Sequence, residues 1–260
     1  MDLLQALRLQ TEWGADEALL DTPQDRRAAA TPPPVAAVVK PVRRSTAKTP
    51  GLPGGPAEAA AIAQACNSLD ELRAALASFT GCPLRDTATQ LVFADGPDSA
   101  ELMLIGEAPG AEEDRQGRPF AGPEGQLLDQ MLASIGLNRE TVRMATAVPW
   151  RPPGNRAPTD GEVAICLPFL RRHIALVRPR LLLLLGAVAA KAILPEPQRS
   201  LGIRRVRGNW LNIEIAGLPA PLPCLPSWHP GYLIRTPSAK REAWADFISL
   251  RETLQTMKTA

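Results

Sequence analysis

Short apolar runs alternate along this chain with stretches of helical periodicity, and this alternation restricts the folds available to it. The runs expected to form strands cover residues 91–93, 102–105, 142–148, 181–185 and 224–225. The stretches expected to form helices cover residues 124–135, 160–177, 187–194 and 240–253, after one or two helices within residues 57–79. Strands that alternate with helices are typical of a parallel sheet with helices on both faces. We therefore predict an α/β fold.

The N-terminal part of the chain has a different composition from the rest. Residues 1–21 contain an apolar set that suits a short amphipathic helix, namely Leu3, Leu4, Leu7 and Trp13. Residues 22–56 are rich in proline, alanine and basic residues, so we expect a disordered linker there. The folded domain is predicted to cover residues 57–258. The sequence leaves open whether the N-terminal helix docks a protein partner or has no binding role.

Charge and cysteine usage exclude several classes of protein. The net charge of +2 creates no overall field that would mark a nucleic-acid-binding protein, so evidence for such binding must be local. The first residues lack the regions of a signal peptide, and the longest apolar run, residues 181–185, is too short to span a membrane. The four cysteines are widely spaced, and we expect free thiols in a cytoplasmic protein.

The segment after the first long apolar run is the leading candidate for a binding site. Residues 102–105 break into a turn that places backbone N–H groups and one carboxylate at the carboxyl edge of the sheet. The turn consists of Gly106, Glu107, Ala108, Pro109 and Gly110, and Phe120 closes the loop that follows. Glu107 is either a partly desolvated acid in a crevice or a solvated acid that caps the next helix, and its spacing alone favours neither.

Of the two histidines in the chain, His229 is the candidate catalytic imidazole. It follows a short apolar run, and Pro230 directly after it favours an extended backbone, so the ring projects from a turn. His173 lies within a helical pattern beside Arg171 and Arg172, and we expect it on the surface. A purely structural role for His229 is the alternative.

Basic residues cluster at two places. A proline-stiffened loop after the third apolar run carries Arg151, Pro152, Asn155 and Arg156, and its two guanidiniums suit phosphate contacts. An ordinary turn with solvated arginines is the alternative. A second cluster, Arg204, Arg205 and Arg207, does not lie at the end of a predicted strand.

Taken together, the motifs resemble those of a known enzyme superfamily. In order they read GEAPG, ED..G.PF.G..G.LLD, RPPGNR.PT, an apolar strand ending in LLG..AA, RG.W and HPGYLIR. Over residues 82–250 the chain resembles the uracil-DNA glycosylase superfamily, and in particular its family-four, iron–sulfur branch. The resemblance implies a three-layer α/β/α sandwich around a four-stranded parallel sheet. It also implies a monomeric, monofunctional enzyme that starts base excision repair by hydrolysing the N-glycosidic bond of uracil in DNA.

The resemblance also implies roles for individual residues. Because a base inside a duplex must first be flipped out, Phe120 would stack on the flipped uracil. Glu107 would position the water and offset positive charge on the sugar, while His229 would stabilise the departing uracil anion through its O2 atom. The segment from Pro230 through Gly231 to Tyr232 and Leu233 would enter the minor groove, with Tyr232 or Leu233 as the wedge. Phosphates would be held by Arg151, Arg156 and Arg235.

The chain departs from the family at its cluster cysteines. The iron–sulfur cluster of the family uses four cysteines, and here only Cys82 and Cys166 match those positions, with Phe79 and Trp150 at the other two. Two thiolates are too few for a cluster that needs about four protein ligands. We therefore predict no cofactor and hydrophobic packing in place of the cluster; a 4Fe–4S cluster that recruits other ligands is the disfavoured alternative.

A second departure concerns base recognition. Where the family carries an asparagine that reads the uracil edge, this chain has Thr146, whose shorter side chain should relax selectivity. An active glycosylase for uracil or another deaminated base is the favoured interpretation. The alternatives are a non-catalytic lesion or single-strand binder on the same fold, and a nucleotide-binding α/β protein. A subtype that forms a covalent adduct is not expected, because the chain lacks its histidine-bearing loop after Trp150.

Overall fold

The computed structural model describes residues 55–259. The helix expected at residues 1–21 and nearly all of the linker expected at residues 22–56 lie outside the described residues. None of the described helices is both long enough and apolar enough to cross a membrane.

The described residues form a single five-stranded sheet. Its strands are β1 (Leu102–Gly106), β2 (Val142–Thr146), β3 (Leu181–Leu185), β4 (Leu211–Ile213) and β5 (Leu222–Ser227). The strand order is β2-β1-β3-β5-β4, and all neighbours are parallel except β4, which runs antiparallel to β5 at the edge. The four expected parallel strands are therefore joined by a fifth that the sequence pattern did not indicate.

The helices lie between and around these strands. They are α1 (Pro56–Ala65), α2 (Leu69–Ser78), α3 (Ala111–Gln116), α4 (Pro123–Ser134), α5 (Asp160–Val177), α6 (Ala187–Ile193), α7 (Ile203–Val206), α8 (Pro230–Arg235) and α9 (Lys240–Thr259). Four short 3-10 segments complete the described secondary structure, at Pro83–Asp86, Pro153–Asn155, Gln198–Ser200 and Pro237–Ala239. Local caps explain several boundaries: Ser68 accepts a hydrogen bond from the Glu71 N–H at 3.1 Å, and Thr159 and Glu162 form a capping box at the start of α5.

Two apolar layers cover the sheet, one on each face. Alternate residues of the central strands point to opposite sides, so Met103 packs in the layer that includes α1, α2 and α5, and Leu104 packs in the layer that includes α4 and α9. The predicted α/β sandwich is thereby confirmed.

Two local predictions were wrong. Residues 91–93 form no strand, because Val92 makes only one backbone bond across to Pro149, at 2.9 Å, and Asp95 forms an isolated bridge with Met144. His173 is buried rather than exposed, since its side of α5 faces the sheet. Its ring is parallel to that of Phe93, with 4.7 Å between ring centroids.

The buried imidazole of His173 also meets a buried cation. Arg143, on β2, donates from Nε to His173 Nε2 at 3.3 Å. Burial, reinforced by the positive charge of Arg143, lowers the pKa of His173 to about 3, because both disfavour the imidazolium. The residue is therefore neutral throughout the physiological range.

Candidate functional site

Segments that follow three of the four parallel strands, β1, β2 and β5, converge on one cavity of about 570 Å³ at the carboxyl edge of the sheet. It brings together residues that are far apart in the sequence, from the turn after β1, the loop after β2 and the segment after β5. Of the predicted site residues, those lining it are Glu107, Ala108, Pro109, Gly110, Asn155, Arg156, His229, Gly231 and Arg235. Parallel α/β sheets bind ligands at this edge, so the location fits the sequence prediction.

Glu107 is bonded to the first turn of α6 rather than to α3, the helix that directly follows it. Its Oε1 accepts a hydrogen bond from the Val188 N–H, in the first turn of α6, at 3.2 Å. The start of the next helix, α3, is capped instead by Glu113, which accepts from the Gly110 N–H at 3.0 Å. Glu107 is thus partly buried in the cavity wall, and it bonds to the first turn of α6 instead of capping α3, the next helix in the chain.

Glu113 is a structural residue of the site that the sequence argument missed. Besides Gly110, its second oxygen accepts from the Gly122 N–H at 2.9 Å. One carboxylate therefore joins the turn after β1 to the loop before α4. The spacing of Gly110 and Glu113 is that of a capping box, which was the available signal.

His229 is held in one orientation at the start of α8. Its Nδ1 accepts a hydrogen bond from the Gly231 N–H at 3.2 Å, and a carboxylate oxygen of Glu124 lies 3.6 Å from the same nitrogen. An accepting Nδ1 carries no proton, so the neutral ring has its proton on Nε2 and can donate from that atom. The extended backbone expected before Pro230 is present, with φ −68° and ψ 138° at His229.

Phe120 lies behind His229, with 6.1 Å between ring centroids, and does not line the cavity. Its φ of 52° is uncommon for a bulky residue and marks a constrained loop. The ring packs so close to Gly106 that a Cβ there would lie 2.6 Å from Cζ. Arg139, also missed by sequence reasoning, fixes this loop by donating to the carbonyls of Pro119 and Phe120.

Thr146 is buried at the end of β2, opposite Gly106 of β1. Its hydroxyl donates to the Val148 carbonyl at 2.7 Å, so its only donor is already used. Thr146 does not line the cavity that holds Glu107 and His229. In this conformation its oxygen retains capacity only as an acceptor.

The segment expected to contact the minor groove differs from the prediction in one important residue. Leu233 is 0% exposed and packs in a small apolar cluster with Trp228, so it cannot act as a wedge from this conformation. Tyr232 is partly buried, with its ring 4.5 Å from that of Trp228. Ile234 instead is 45% exposed and lines the cavity beside Arg235. A six-residue helix is too short for periodicity to reveal which face is outward.

The arginines of the loop after β2 already have protein partners. Arg151 donates from Nε to the Asn155 side-chain oxygen at 2.7 Å. Arg156 donates to both carboxylate oxygens of Glu162, at 2.9 and 2.6 Å, and this pairing lowers the pKa of Glu162 to about 2. Each guanidinium therefore has a protein acceptor, although Arg156 remains exposed, and Pro152 beside them is buried.

The residues at the expected cluster positions do not fit a four-iron cluster. Cys166 donates to Cys82 with 3.8 Å between the sulfur atoms, while Phe79 and Trp150 are 4% and 2% exposed. The Phe79 ring packs on Phe169 with centroids 5.1 Å apart. Within the described part of the chain, no group of three or more histidine, cysteine or acidic residues could hold a metal. Two thiols and two large apolar side chains cannot supply the thiolates that such a cluster requires.

Comparison with known proteins agrees with these motifs. A sequence model described as the uracil DNA glycosylase superfamily matches residues 93–248. The type-4 uracil-DNA glycosylase of Pyrobaculum aerophilum is 36% identical over 179 residues, covering 68% of this chain and 90% of that protein. The type-4 enzyme of Archaeoglobus fulgidus is 37% identical over 186 residues, covering 71% and 92%. That of Thermotoga maritima is 37% identical over 162 residues, covering 61% and 79%.

Proposed function

The chain belongs to the uracil-DNA glycosylase superfamily, and we propose that it excises uracil from DNA by hydrolysing the N-glycosidic bond, the first step of base excision repair. The observation that carries this proposal is the meeting of Glu107 and His229 in one cavity at the carboxyl edge of the parallel sheet. One residue is an acid held by a backbone N–H, and the other is an imidazole whose donor nitrogen is determined by its partner.

The two residues can stabilise the two charges that appear as the glycosidic bond breaks. The sugar becomes positively charged, and a carboxylate in a partly desolvated wall offsets that charge more strongly than it would in water. Glu107 would do this with the oxygen that Val188 leaves free, and the same oxygen would orient the attacking water. The departing uracil becomes an anion, which the Nε2–H of His229 would stabilise by a hydrogen bond to O2.

The base pocket would be built around the loop of Phe120. We propose that Gly106, Ala108, Pro109 and Gly110 form one wall and that the Phe120 ring stacks on the flipped uracil. Because Phe120 is nearly fully buried, stacking requires the loop to open slightly when the base enters. Thr146 does not line the cavity in this conformation, so it would reach the base only after the same opening; it would then contribute a single acceptor to the uracil N3–H, since its own proton is bonded to Val148. A single acceptor recognises uracil less specifically than an amide, which can both donate and accept, so the enzyme should discriminate poorly against other bases.

DNA would be held by α8 and by the loop after β2. We propose that Ile234, rather than Leu233, enters the space left by the flipped base, because it is the exposed apolar side chain next to the cavity. Arg235 would contact a phosphate directly. Arg151, Asn155 and Arg156 would contribute through the N–H groups left over from their internal hydrogen bonds, as a rigid phosphate-binding loop.

We also propose that the enzyme works without an iron–sulfur cluster. The support is the packing of Phe79 and Trp150 at the positions of two expected cysteines. A monomeric state, a cytoplasmic location, a protein partner for residues 1–21 and a domain spanning residues 57–258 are further proposals.

The experiment is a cleavage assay on a fluorescently labelled oligonucleotide that contains one uracil, followed by alkali, which breaks the strand at abasic sites. Strand cleavage that requires uracil supports a glycosylase. Retention of the oligonucleotide in a gel without cleavage would instead support a non-catalytic DNA-binding protein. If the oligonucleotide is neither cleaved nor retained, both functions are contradicted. The matched control is the same oligonucleotide with thymine in place of uracil.

A further inference from the structure

Gly186 lies at the junction of β3 and α6, against the carboxylate of Glu107. Its φ of 98° and ψ of 176° belong to a region that essentially only glycine occupies. A Cβ built on Gly186 would lie 2.3 Å from Glu107 Oε1, 2.8 Å from Cδ and 3.0 Å from Cγ. The carboxylate therefore occupies the space that a side chain at position 186 would fill.

The same carboxylate oxygen accepts a hydrogen bond from the backbone at the start of α6. Val188 N–H donates to Glu107 Oε1 at 3.2 Å, two residues after Gly186. Reaching this N–H requires the glutamate side chain to pass directly over the bare backbone of Gly186. Because the colliding atoms are the far end of a flexible side chain, an added methyl group would displace the carboxylate rather than the sheet.

We propose that Gly186 is a positioning residue for the glycosylase reaction, whose lack of a side chain admits the Glu107 carboxylate to the Val188 N–H. This inference rests on the proposed function of Glu107. Its consequence is that the backbone after β3, and not only the turn after β1, determines where the carboxylate faces the sugar.

Gly202 provides a matched control for backbone strain. It also precedes a helix, α7, and has a φ of 73° and ψ of 153°, but a Cβ there would meet nothing within 4 Å. Gly202→Ala thus places an alanine in a similarly unfavourable conformation without touching Glu107. Any loss of uracil excision in Gly186→Ala beyond the loss in Gly202→Ala therefore reports the collision between the added methyl group and the Glu107 carboxylate.

The test compares uracil excision by the wild type, Gly186→Ala, Gly202→Ala, Glu107→Ala and the double variant Gly186→Ala/Glu107→Ala. Gly186→Ala should lower kcat about 100-fold with KM within about twofold, because a misplacement of about 1 Å at a reacting group has this effect. Gly202→Ala should stay within about twofold of the wild type. In the Glu107→Ala background, Gly186→Ala should cause no further loss. Equal rates for the two glycine variants, or the same fold loss with and without Glu107, would overturn the proposal.

A second measurement separates this inference from the proposed function. In urea titrations, Gly186→Ala should shift the midpoint to lower urea than Gly202→Ala does, and the excess shift should disappear when Glu107 is also alanine. If Gly186→Ala fails to fold, the double variant should fold. The proposed collision with Glu107 would be overturned if both variants fail to fold, or if the urea midpoint shift beyond that of Gly202→Ala persists in the double variant. A wild type that releases no uracil would contradict the proposed function, while the urea measurement still tests the contact.

Discussion

The buried histidine on α5 should make folding stability depend on pH in a way that one substitution removes. His173 accepts a hydrogen bond from Arg143 and stacks on Phe93, and its pKa is lowered to about 3 by burial and by the arginine. In the unfolded chain the same imidazole has a pKa of about 6.5. The unfolded state therefore binds a proton that the folded state does not, at any pH between these two values.

The sign and size of the effect follow from that difference. The stabilising contribution is fully present above about pH 6.5 and is lost as the pH falls towards about 3, with a slope of about 1.4 kcal/mol per pH unit. Between pH 7 and pH 5 the free energy of unfolding should fall by about 2 kcal/mol from this group alone.

The substitution is His173→Gln, because a glutamine oxygen can still accept from Arg143 but does not titrate in this range. Urea titrations at pH 7 and pH 5, followed by tryptophan fluorescence, give the free energy of unfolding of each protein. The loss between the two pH values should be about 2 kcal/mol smaller in the variant than in the wild type. Equal losses in the two proteins would refute the reasoning, since all other titrating groups are shared.

Three further predictions concern the site. Ile234→Ala should slow uracil excision from duplex DNA about tenfold but leave single-stranded DNA within about twofold, because only the duplex needs a wedge; Leu201→Ala, at a similarly exposed leucine, should change neither. Thr146→Asn should raise uracil excision, and an unchanged or lower rate would show that this residue does not read the base. Protein purified without oxygen should show no absorbance band near about 400 nm and no stoichiometric iron; both together would contradict the proposal of a cluster-free enzyme.

Periodicity and local signals were sufficient for most of the fold. The bounds of α5 were predicted to the residue. β5 is longer than expected because Pro223 and Pro226 interrupt its apolar pattern while the strand still pairs with β3 through residues 224–227. The strand β4 was missed because three residues at a sheet edge carry too little pattern.

Residues of the candidate site could be predicted only where the neighbouring sequence marks them. Glu107 and His229 stand at strand ends beside glycine or proline, and these positions were recognisable. Arg139 was not, because its role depends on carbonyls 19 and 20 residues away in the sequence. The burial of His173 and Leu233 was also missed, since both stand beside polar or exposed neighbours and are covered by distant elements. Such contacts are set by tertiary packing, which local sequence does not encode.

The most direct test of the central claim is single-turnover release of free uracil from duplex DNA by the wild type, Glu107→Ala and His229→Ala. Binding of each protein to a 2′-fluoro-deoxyuridine duplex, whose glycosidic bond resists cleavage, serves as the control for a folded and DNA-binding protein. We predict that the wild type releases uracil and that each variant is slower by about 100-fold or more while binding is nearly unchanged. A wild type that releases no uracil, or a variant of either residue that keeps the wild-type rate, would contradict the account.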